Sequence, residues 1–286
     1  MRIGFIGLGG MGRPMAAHLL AAGHRVAVWS RRPASADFLL GQGALWAESP
    51  DALARQSEIV CTNVTAGPDV AALADSMRPG LAPGRLHIDF STIDPADARA
   101  IAARHAEHGI DFVDAPVSGG TAGAQAATLA IMWGGKAELA ARLEPLFRCL
   151  GKSAVHVGAV GAGQVAKLCN QLVLVATIEA CAEAAHLARA AGVDFGKVRT
   201  AMLGGSAASR ALDLFGGKMA VRDFAAGVEA RLHHKDLAIA LGAASRAGVP
   251  LPVGGAVMQQ LDGLMAAGWG REDTARLLGV LERSRA

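Results

Sequence analysis

The stretch Arg2-Ile3-Gly4-Phe5-Ile6-Gly7-Leu8-Gly9-Gly10-Met11-Gly12 decides the fold of this chain. Its first five residues predict a short β-strand, and a helical pattern follows the glycines over residues 14–22. Glycines at this spacing between a strand and a helix are typical of a loop that binds the pyrophosphate of a dinucleotide. Gly7 would make the turn, Gly9 would leave room for phosphate, and Gly12 would let the helix approach the strand. A glycine-rich turn without a ligand is the alternative.

Further apolar runs in the first half alternate with helical patterns. Strands are predicted over residues 25–29, 59–63, 86–90 and 112–114. Such alternation favours a parallel sheet with helices on both faces. We therefore expect an α/β fold that begins with a doubly wound, dinucleotide-binding domain over residues 1–160.

The pattern changes after about Gly158. Residues 164–191 contain neither proline nor glycine and predict a helix of roughly 28 residues, about 42 Å long, which is more than one small domain would bury. It would link two domains or pack against a partner subunit. We expect an all-helical domain over residues 161–286 that includes this helix at about 163–191, with later breaks at Gly204-Gly205, Gly216-Gly217 and Gly248-Val249-Pro250.

Composition excludes several classes of protein. Lysine and arginine total 28 and aspartate and glutamate 25, a formal charge of +3, which predicts no nucleic-acid partner. We find no run of about 20 uncharged apolar residues, because Glu179 and Glu183 interrupt the most apolar segment, so no membrane partner is expected. The four cysteines form neither a C-x-x-C pair nor a zinc-type spacing. We therefore expect a cytoplasmic protein without a metal site.

The residues after the second predicted strand bear on the cofactor. Trp29 is followed by Ser30, Arg31 and Arg32, where an acidic residue would bind the ribose 2′-hydroxyl of NAD. A small polar residue with arginine suits the 2′-phosphate of NADP, because guanidinium pairs well with phosphate. The sequence thus favours NADP over NAD. Arg31 and Arg32 as ordinary surface charges are the alternative.

The segment Asp114-Ala115-Pro116-Val117-Ser118-Gly119-Gly120 follows another predicted strand. Ligands of doubly wound sheets bind beyond the carboxyl ends of strands. The Ser118 hydroxyl and the backbone N–H groups of Gly119 and Gly120 could hold a carboxylate. A simple turn before the next helix is equally consistent with the segment alone.

Lys167, Asn170 and Gln171 share one face of the long predicted helix, because they are spaced i, i+3 and i+4. A lysine there could donate a proton to a carbonyl oxygen, or in its neutral form accept one from a hydroxyl. From spacing alone, a solvent-facing lysine is the more common outcome.

His233-His234-Lys235-Asp236 suggests a metal or proton-transfer cluster at first sight. Adjacent residues on a helix do not face each other, and two neighbouring histidines are more typical of a surface than of a ligand set. Spacing alone does not place Lys235 near the cofactor.

Together these motifs resemble the β-hydroxyacid dehydrogenases. The resemblance spans essentially the whole chain and rests on five segments in family order: residues 5–19, Asp89-Phe90-Ser91-Thr92, residues 114–120, residues 161–171 and residues 232–237. It implies a Rossmann domain, a long interdomain helix and a helical domain that joins subunits into a homodimer or homotetramer.

The resemblance also implies roles for individual residues. Lys167 would be the catalytic acid/base, with Asn170 and Gln171 at the substrate and Ser118, Gly119 and Gly120 holding its carboxylate. The cofactor would lie against the glycine loop, Ser30, Arg31, Arg32, Thr92 and Lys235, and against Asn63 and Val64, which stand where the family has a loop beside the cofactor.

The expected reaction is NAD(P)-dependent interconversion of a small β-hydroxyacid and its semialdehyde. Asn170-Gln171 and residues 203–210 are more similar to the 2-hydroxy-3-oxopropionate (tartronate semialdehyde) reductases than to the rest of the family. 3-Hydroxyisobutyrate and 4-hydroxybutyrate are the alternative substrates. An imine reductase, which commonly lacks lysine at this helix position, and a non-catalytic cofactor-binding protein are rivals on the same fold.

Overall fold

Short apolar runs form the strands of one sheet, because each run can be buried on both faces only inside a layered domain. The computed structural model describes residues 1–283. Within them, the strands are β1 (Arg2–Ile6), β2 (Arg25–Trp29), β3 (Leu45–Trp46), β4 (Ile59–Thr62), β5 (Leu86–Asp89), β6 (Asp111–Asp114), β7 (Val117–Ser118), β8 (Leu129–Gly134) and β9 (Gly151–Gly158).

The strand order is β3-β2-β1-β4-β5-β6-β8-β7, and β9 pairs with β8. Strands β1 to β6 are parallel to one another, whereas β8 is antiparallel to β6 and β7 and parallel to β9. The predicted doubly wound α/β fold is confirmed. The expected parallel pairing is found among the first six strands and between β8 and β9, whereas the antiparallel pairing of β8 with β6 and β7 departs from it.

Helices cover both faces of the sheet, and a second set makes up the C-terminal part of the chain. The helices of residues 1–190 are α1 (Gly12–Ala21), α2 (Asp37–Leu40), α3 (Pro50–Arg55), α4 (Gly67–Met77), α5 (Pro95–Ala106), α6 (Gly120–Gln125), α7 (Ala140–Leu150) and α8 (Ala162–Ala190). Those of the C-terminal part are α9 (Phe195–Leu203), α10 (Gly217–Val221), α11 (Ala230–Arg246), α12 (Pro252–Ala266) and α13 (Leu277–Arg283).

The chain divides into two compact units, Met1–Lys167 and Leu168–Ala286. In the first, alternate residues of β1 enter different cores, since side chains of a strand point to opposite faces. Phe5 packs in the core that includes Met15 of α1, and Ile6 packs in the core that includes Val70 of α4. This two-sided burial fixes the carboxyl ends of β1, β4, β5 and β6 at one edge.

The second unit has its own core, which α8, α11 and α12 share. Gly216-Gly217 was expected to break a helix, and that prediction is wrong. A π-helical turn, Leu212–Gly216, leads directly into α10. The Arg199 side chain donates to the carbonyl oxygens of Leu212 (3.3 Å) and Asp213 (2.8 Å), which stabilises the turn.

Helix α8 is 29 residues long and begins two residues before the helix expected from sequence. By length and composition alone it could span a membrane. The same test is passed by core helices of globular domains, and α8 also places the polar side chains of Gln171 and Glu179 among its buried residues. Its buried apolar residues, such as Val175 and Ile178, belong to the core of the second unit.

The end of α6 carries a strained residue. Ala127 has a positive φ of 53°, and the N–H of Thr128 donates to the Gly123 carbonyl oxygen at 2.9 Å, as in a helix C-terminus that usually places glycine there. We expect Ala127→Gly to raise the free energy of unfolding by about 0.5 to 1 kcal/mol, because glycine adopts this conformation without a Cβ clash. Urea unfolding measures the effect. Ala126→Gly is the matched control and should destabilise, since Ala126 has φ −86°; equal losses in both variants would contradict the prediction.

Candidate functional site

The glycine loop lies between β1 and α1 and has the shape that a bound pyrophosphate requires. A Cβ on Gly7, whose φ is +96°, would lie 2.2 Å from the Asn63 carbonyl oxygen, and a Cβ on Gly12 would lie 1.9 Å from that of Gly7. A Cβ on Gly9 would meet nothing within 4 Å. Gly7 and Gly12 therefore allow close backbone packing, whereas Gly9 faces open space at the start of α1, whose N-terminus has no side-chain cap.

Hydrogen bonds join the end of β4 and the loop after it to the end of β5 and the loop after it. The Val64 N–H donates to Ser91 Oγ (2.9 Å), and Ser91 Oγ donates to Asp89 Oδ1 (2.7 Å). Thr62 Oγ1 donates to the same Asp89 oxygen at 2.7 Å. The predicted cofactor residues Asn63, Val64 and Thr92 thus lie in the two loops that this network joins. The Asn63 N–H also donates to the carbonyl oxygen of Ile6 (2.9 Å), directly before the glycine loop.

At the end of β2 the structure has the polar residues that bear on NADP. Ser30 is half-buried, whereas Arg31 and Arg32 are exposed. The Arg31 guanidinium lies 3.4 Å from Asp69 Oδ1 of α4, an exposed pair that holds the arginine weakly. The Arg31 charge is therefore available at the strand end where an adenosine ribose would lie in this fold.

The predicted carboxylate-binding segment lies at the end of β7. Ser118 is half-buried, and Gly119 and Gly120 have positive φ values of 138° and 61°. These conformations explain why two glycines follow the serine, since a side chain would be strained at either position. A ligand can approach the backbone N–H groups of both glycines closely, because no side chain stands in the way.

Lys167 is buried, with 7% of its surface exposed. It lies in the second turn of α8, and its burial argues against the solvent-facing lysine that spacing alone left open. The first turn is capped by Asp114 at the end of β6, whose carboxylate accepts from the N–H groups of Gly161 (2.7 Å) and Gln164 (2.8 Å). Burial raises the pKa of Asp114 to about 7, although these two hydrogen bonds act in the opposite direction.

In the second unit, the other predicted site residues form a polar cluster. Asn170 Nδ2 donates to Gln171 Oε1 (2.9 Å), and Gln171 Nε2 donates to Asp236 Oδ2 (2.7 Å). Lys235 Nζ lies 2.9 Å from Asp236 Oδ1. Asp236 therefore orients both Gln171 and Lys235. Because Asp236 is buried, its carboxylate has little contact with solvent.

The two histidines before Lys235 differ from each other. His233 is buried and shares a 2.8 Å hydrogen bond with Thr274 Oγ1, whereas His234 is half-buried and pairs with Asp262 at 2.8 Å. The interpretation of both as surface residues is wrong for His233. The buried residues of α11 recur every three to four positions, as Ala230, His233 and Asp236 do, because successive residues of a helix point about 100° apart.

Sequence reasoning missed three residues that hold the site. Asp114 was read only as part of a motif, and Gln164 and Asp236 were given no role. Apart from Lys235, which is adjacent to Asp236, the partners named above are 47 to 73 residues away in sequence, so no local spacing could reveal them. Their type was the one available indication, because buried carboxylates and carboxamides need hydrogen-bond partners.

These residues fit a nicotinamide dinucleotide. The open space at Gly9 and the uncapped start of α1 suit a pyrophosphate, and the strand ends around Val64 and Ser91 suit the remainder. Chemically, the buried ammonium of Lys167 can move a proton, and the segment from Ser118 to Gly120 can bind an anion.

Comparisons with known proteins agree with this arrangement. A family profile described as the NAD binding domain of 6-phosphogluconate dehydrogenase matches residues 2–158. A second, described as "NAD-binding of NADP-dependent 3-hydroxyisobutyrate dehydrogenase", matches residues 161–281. The two matches meet close to the start of α8.

Individual proteins are similar along nearly their whole length. The chain is 39% identical over 286 residues to 2-hydroxy-3-oxopropionate reductase of Escherichia coli (strain K12), covering 99% of this chain and 97% of that protein. It is 40% identical over 262 residues to 3-hydroxyisobutyrate dehydrogenase of Pseudomonas aeruginosa, covering 88% of each. The solved structure of Mycobacterium tuberculosis 3-hydroxyisobutyrate dehydrogenase with L-serine is similar at a TM-score of 0.92 and 33% identity, covering 98% of both chains.

Proposed function

We propose that this chain interconverts 2-hydroxy-3-oxopropionate and glycerate. The chain belongs to the β-hydroxyacid dehydrogenase family and is an NAD(P)-dependent oxidoreductase acting on a CH–OH group. The observation that carries this proposal is the burial of Lys167 in the second turn of α8, with Asn170 one turn later on the same helix. The pair Asn170-Gln171 and the similarity to the Escherichia coli reductase support this substrate.

The proposed reaction needs a proton at the oxygen where charge develops. When bound, the reduced nicotinamide supplies a hydride to the aldehyde carbon. Lys167 donates a proton to the aldehyde oxygen, which becomes the hydroxyl of glycerate, and in the reverse direction neutral Lys167 accepts that proton. The ammonium also stabilises negative charge on the oxygen as it forms.

The other residues orient the substrate. Ser118 Oγ and the N–H groups of Gly119 and Gly120 hold the carboxylate, which fixes the distance between the anion and the reacting carbon. Asn170 contacts the substrate through its carboxamide, whose orientation is set by the bond to Gln171 and, through it, by Asp236. Lys235 and Thr92 lie beside the nicotinamide in this proposal.

For the cofactor, we infer a preference for NADP. The strand end after β2 carries Ser30, Arg31 and Arg32 and no acidic residue that would bind a ribose 2′-hydroxyl. Arg31 is the residue that would pair with the 2′-phosphate, in exchange for its weak pair with Asp69.

We expect Arg31→Ala to lower the ratio of kcat/KM for NADPH to that for NADH by about tenfold or more, because a charge-assisted hydrogen bond to phosphate is lost. Initial rates with each cofactor measure the ratio. Arg25→Ala is the matched control, since Arg25 is an exposed arginine at the opposite end of β2 and should leave the ratio unchanged. An unchanged ratio in Arg31→Ala would show that Arg31 does not select NADPH over NADH.

The substrate is tested by reduced-nicotinamide absorbance with a panel of aldehyde acids: tartronate, methylmalonate and succinic semialdehydes, and glyoxylate. The proposal predicts the highest kcat/KM with tartronate semialdehyde. A preference for methylmalonate semialdehyde would favour 3-hydroxyisobutyrate as the substrate in place of glycerate. The similarity to the Pseudomonas aeruginosa enzyme makes this reaction the second candidate. Cofactor binding without turnover on any acid would overturn the proposal.

Two further expectations remain proposals. Exposed apolar side chains on α8, Val173 and Leu187, support association with a second copy through the helical unit. A cytoplasmic location rests on the absence of paired cysteine motifs in the sequence.

A further inference from the structure

Gln164 is a fully buried carboxamide in the first turn of α8, and both ends of its amide are used. Its Oε1 accepts from the Ile93 N–H at 3.1 Å, and its Nε2 donates to the Ser91 carbonyl oxygen at 2.8 Å. These two backbone groups flank Thr92. The Gln164 side chain therefore holds the loop after β5 at both sides of that residue.

The turn that carries Gln164 is itself fixed to the sheet. Asp114 accepts from the Gln164 N–H, and a Cβ on Gly163 would lie 2.6 Å from the Asp114 carbonyl oxygen and 2.6 Å from that of Met132. Such close packing of α8 against β6 and β8 leaves the first helical turn little freedom to shift or rotate.

Gln164 and Lys167 are separated by three residues, so they lie on the same face of α8 in successive turns. We propose that Gln164 is a positioning residue that holds the loop carrying Thr92 and the helical turn carrying Lys167 in one fixed geometry. This inference rests on the proposed function, in which Lys167 is the proton donor. Through Ser91, the same network continues to Val64 and Asp89, so it joins the predicted cofactor loops to the first turn of α8, which precedes Lys167.

The test compares two variants of similar size. Gln164→Met removes both polar contacts, and Gln164→Glu retains an acceptor but places a second oxygen against the Ser91 carbonyl. We expect Gln164→Met to lower kcat by about tenfold or more while the substrate KM changes less than about threefold, because a displaced proton donor affects the transition state more than substrate binding. NADPH affinity, measured by fluorescence, should weaken about threefold or more, since the loop around Thr92 loses two hydrogen bonds.

The decisive readout is the pH dependence of Gln164→Glu. A neutral carboxyl accepts from Ile93 and donates to Ser91, as the carboxamide does, whereas a carboxylate repels the Ser91 carbonyl. We therefore expect kcat of this variant relative to the wild type to rise about fivefold or more as pH falls from about 8 to about 5. The charged groups on the surrounding elements are Asp89 at the end of β5, Asp94 and Arg99 at α5, Asp114 at the end of β6, and Lys167. Because the wild type contains them all, the ratio removes the pH dependence that they give the wild type. What remains is the effect of the introduced carboxyl, including the shift that it causes in the pKa of the neighbouring Asp114.

The outcomes separate this inference from the proposed function. A flat ratio for Gln164→Glu, or wild-type kcat for Gln164→Met, would overturn the positioning role even if Lys167→Ala is inactive. Near wild-type turnover in Lys167→Ala would instead overturn the proposed function. If Gln164→Met does not fold, as judged by its thermal unfolding, the pH ratio of Gln164→Glu decides alone. It is measured at a temperature at which thermal unfolding shows that variant to be folded at both pH values, because a proton would also restore a fold that the buried carboxylate destabilises.

Discussion

Lys167→Ala is expected to lower kcat by about a hundredfold or more while the dissociation constant of NADPH stays within about twofold of the wild type, because the variant loses proton donation and not a phosphate contact. The buried position of Lys167 means that no bulk water replaces the ammonium readily. Stopped-flow absorbance for turnover and fluorescence titration for NADPH measure the two quantities.

Lys152→Ala is the matched control for this variant. Lys152 is exposed on β9, and its loss removes one positive charge without touching the site, so kcat should be unchanged. Turnover of Lys167→Ala close to that of Lys152→Ala would contradict the proposed mechanism.

Gly9→Val is expected to raise the dissociation constant of NADPH by about a hundredfold, because a side chain at this position would displace about two charge-assisted hydrogen bonds to phosphate. The thermal midpoint should change little, since a Cβ on Gly9 meets no protein atom within 4 Å. Fluorescence titration and thermal unfolding of the same sample test both parts.

Gly12→Ala provides the contrast to that variant. Its Cβ would lie 1.9 Å from the Gly7 carbonyl oxygen, so α1 must move away from β1. We expect a destabilisation of about 1 to 3 kcal/mol in addition to weaker NADPH binding. If Gly9→Val binds NADPH as well as the wild type, the glycine loop is not the pyrophosphate site.

The first strands could be predicted from sequence because burial on both faces leaves short, uninterrupted apolar runs. The bounds of β1 and β2 agree residue for residue with the predicted runs. Strand β9 could not be predicted, because most of its residues are exposed and lysine, serine and histidine interrupt its apolar pattern. It is a strand because its backbone pairs with that of β8, which is not visible in its own sequence. Short runs such as Leu129–Gly134 are also compatible with a buried helix.

Some residues of the candidate site could likewise be predicted from sequence, whereas others could not. The glycine loop could be predicted because its residue types and spacing are local and chemically specific. The spacing of Lys167 alone favours a solvent-facing side chain, and only the resemblance to the β-hydroxyacid dehydrogenases implies its role. The geometry that holds them could not be, since Asp114 and Gln164 act through hydrogen bonds to distant backbone groups. Glycines are similarly ambiguous: Gly7 marks a turn, whereas Gly217 lies inside a helical stretch that the Arg199 side chain supports.

The most direct test of the account follows the hydride itself. The protein is incubated with tartronate semialdehyde and NADPH that carries deuterium at both positions of nicotinamide C4, and the product is analysed by mass spectrometry. The account predicts glycerate with one deuterium on the former aldehyde carbon, formed rapidly by the wild type and about a hundredfold more slowly by Lys167→Ala. Unlabelled glycerate, or no product while NADPH is bound, would contradict it.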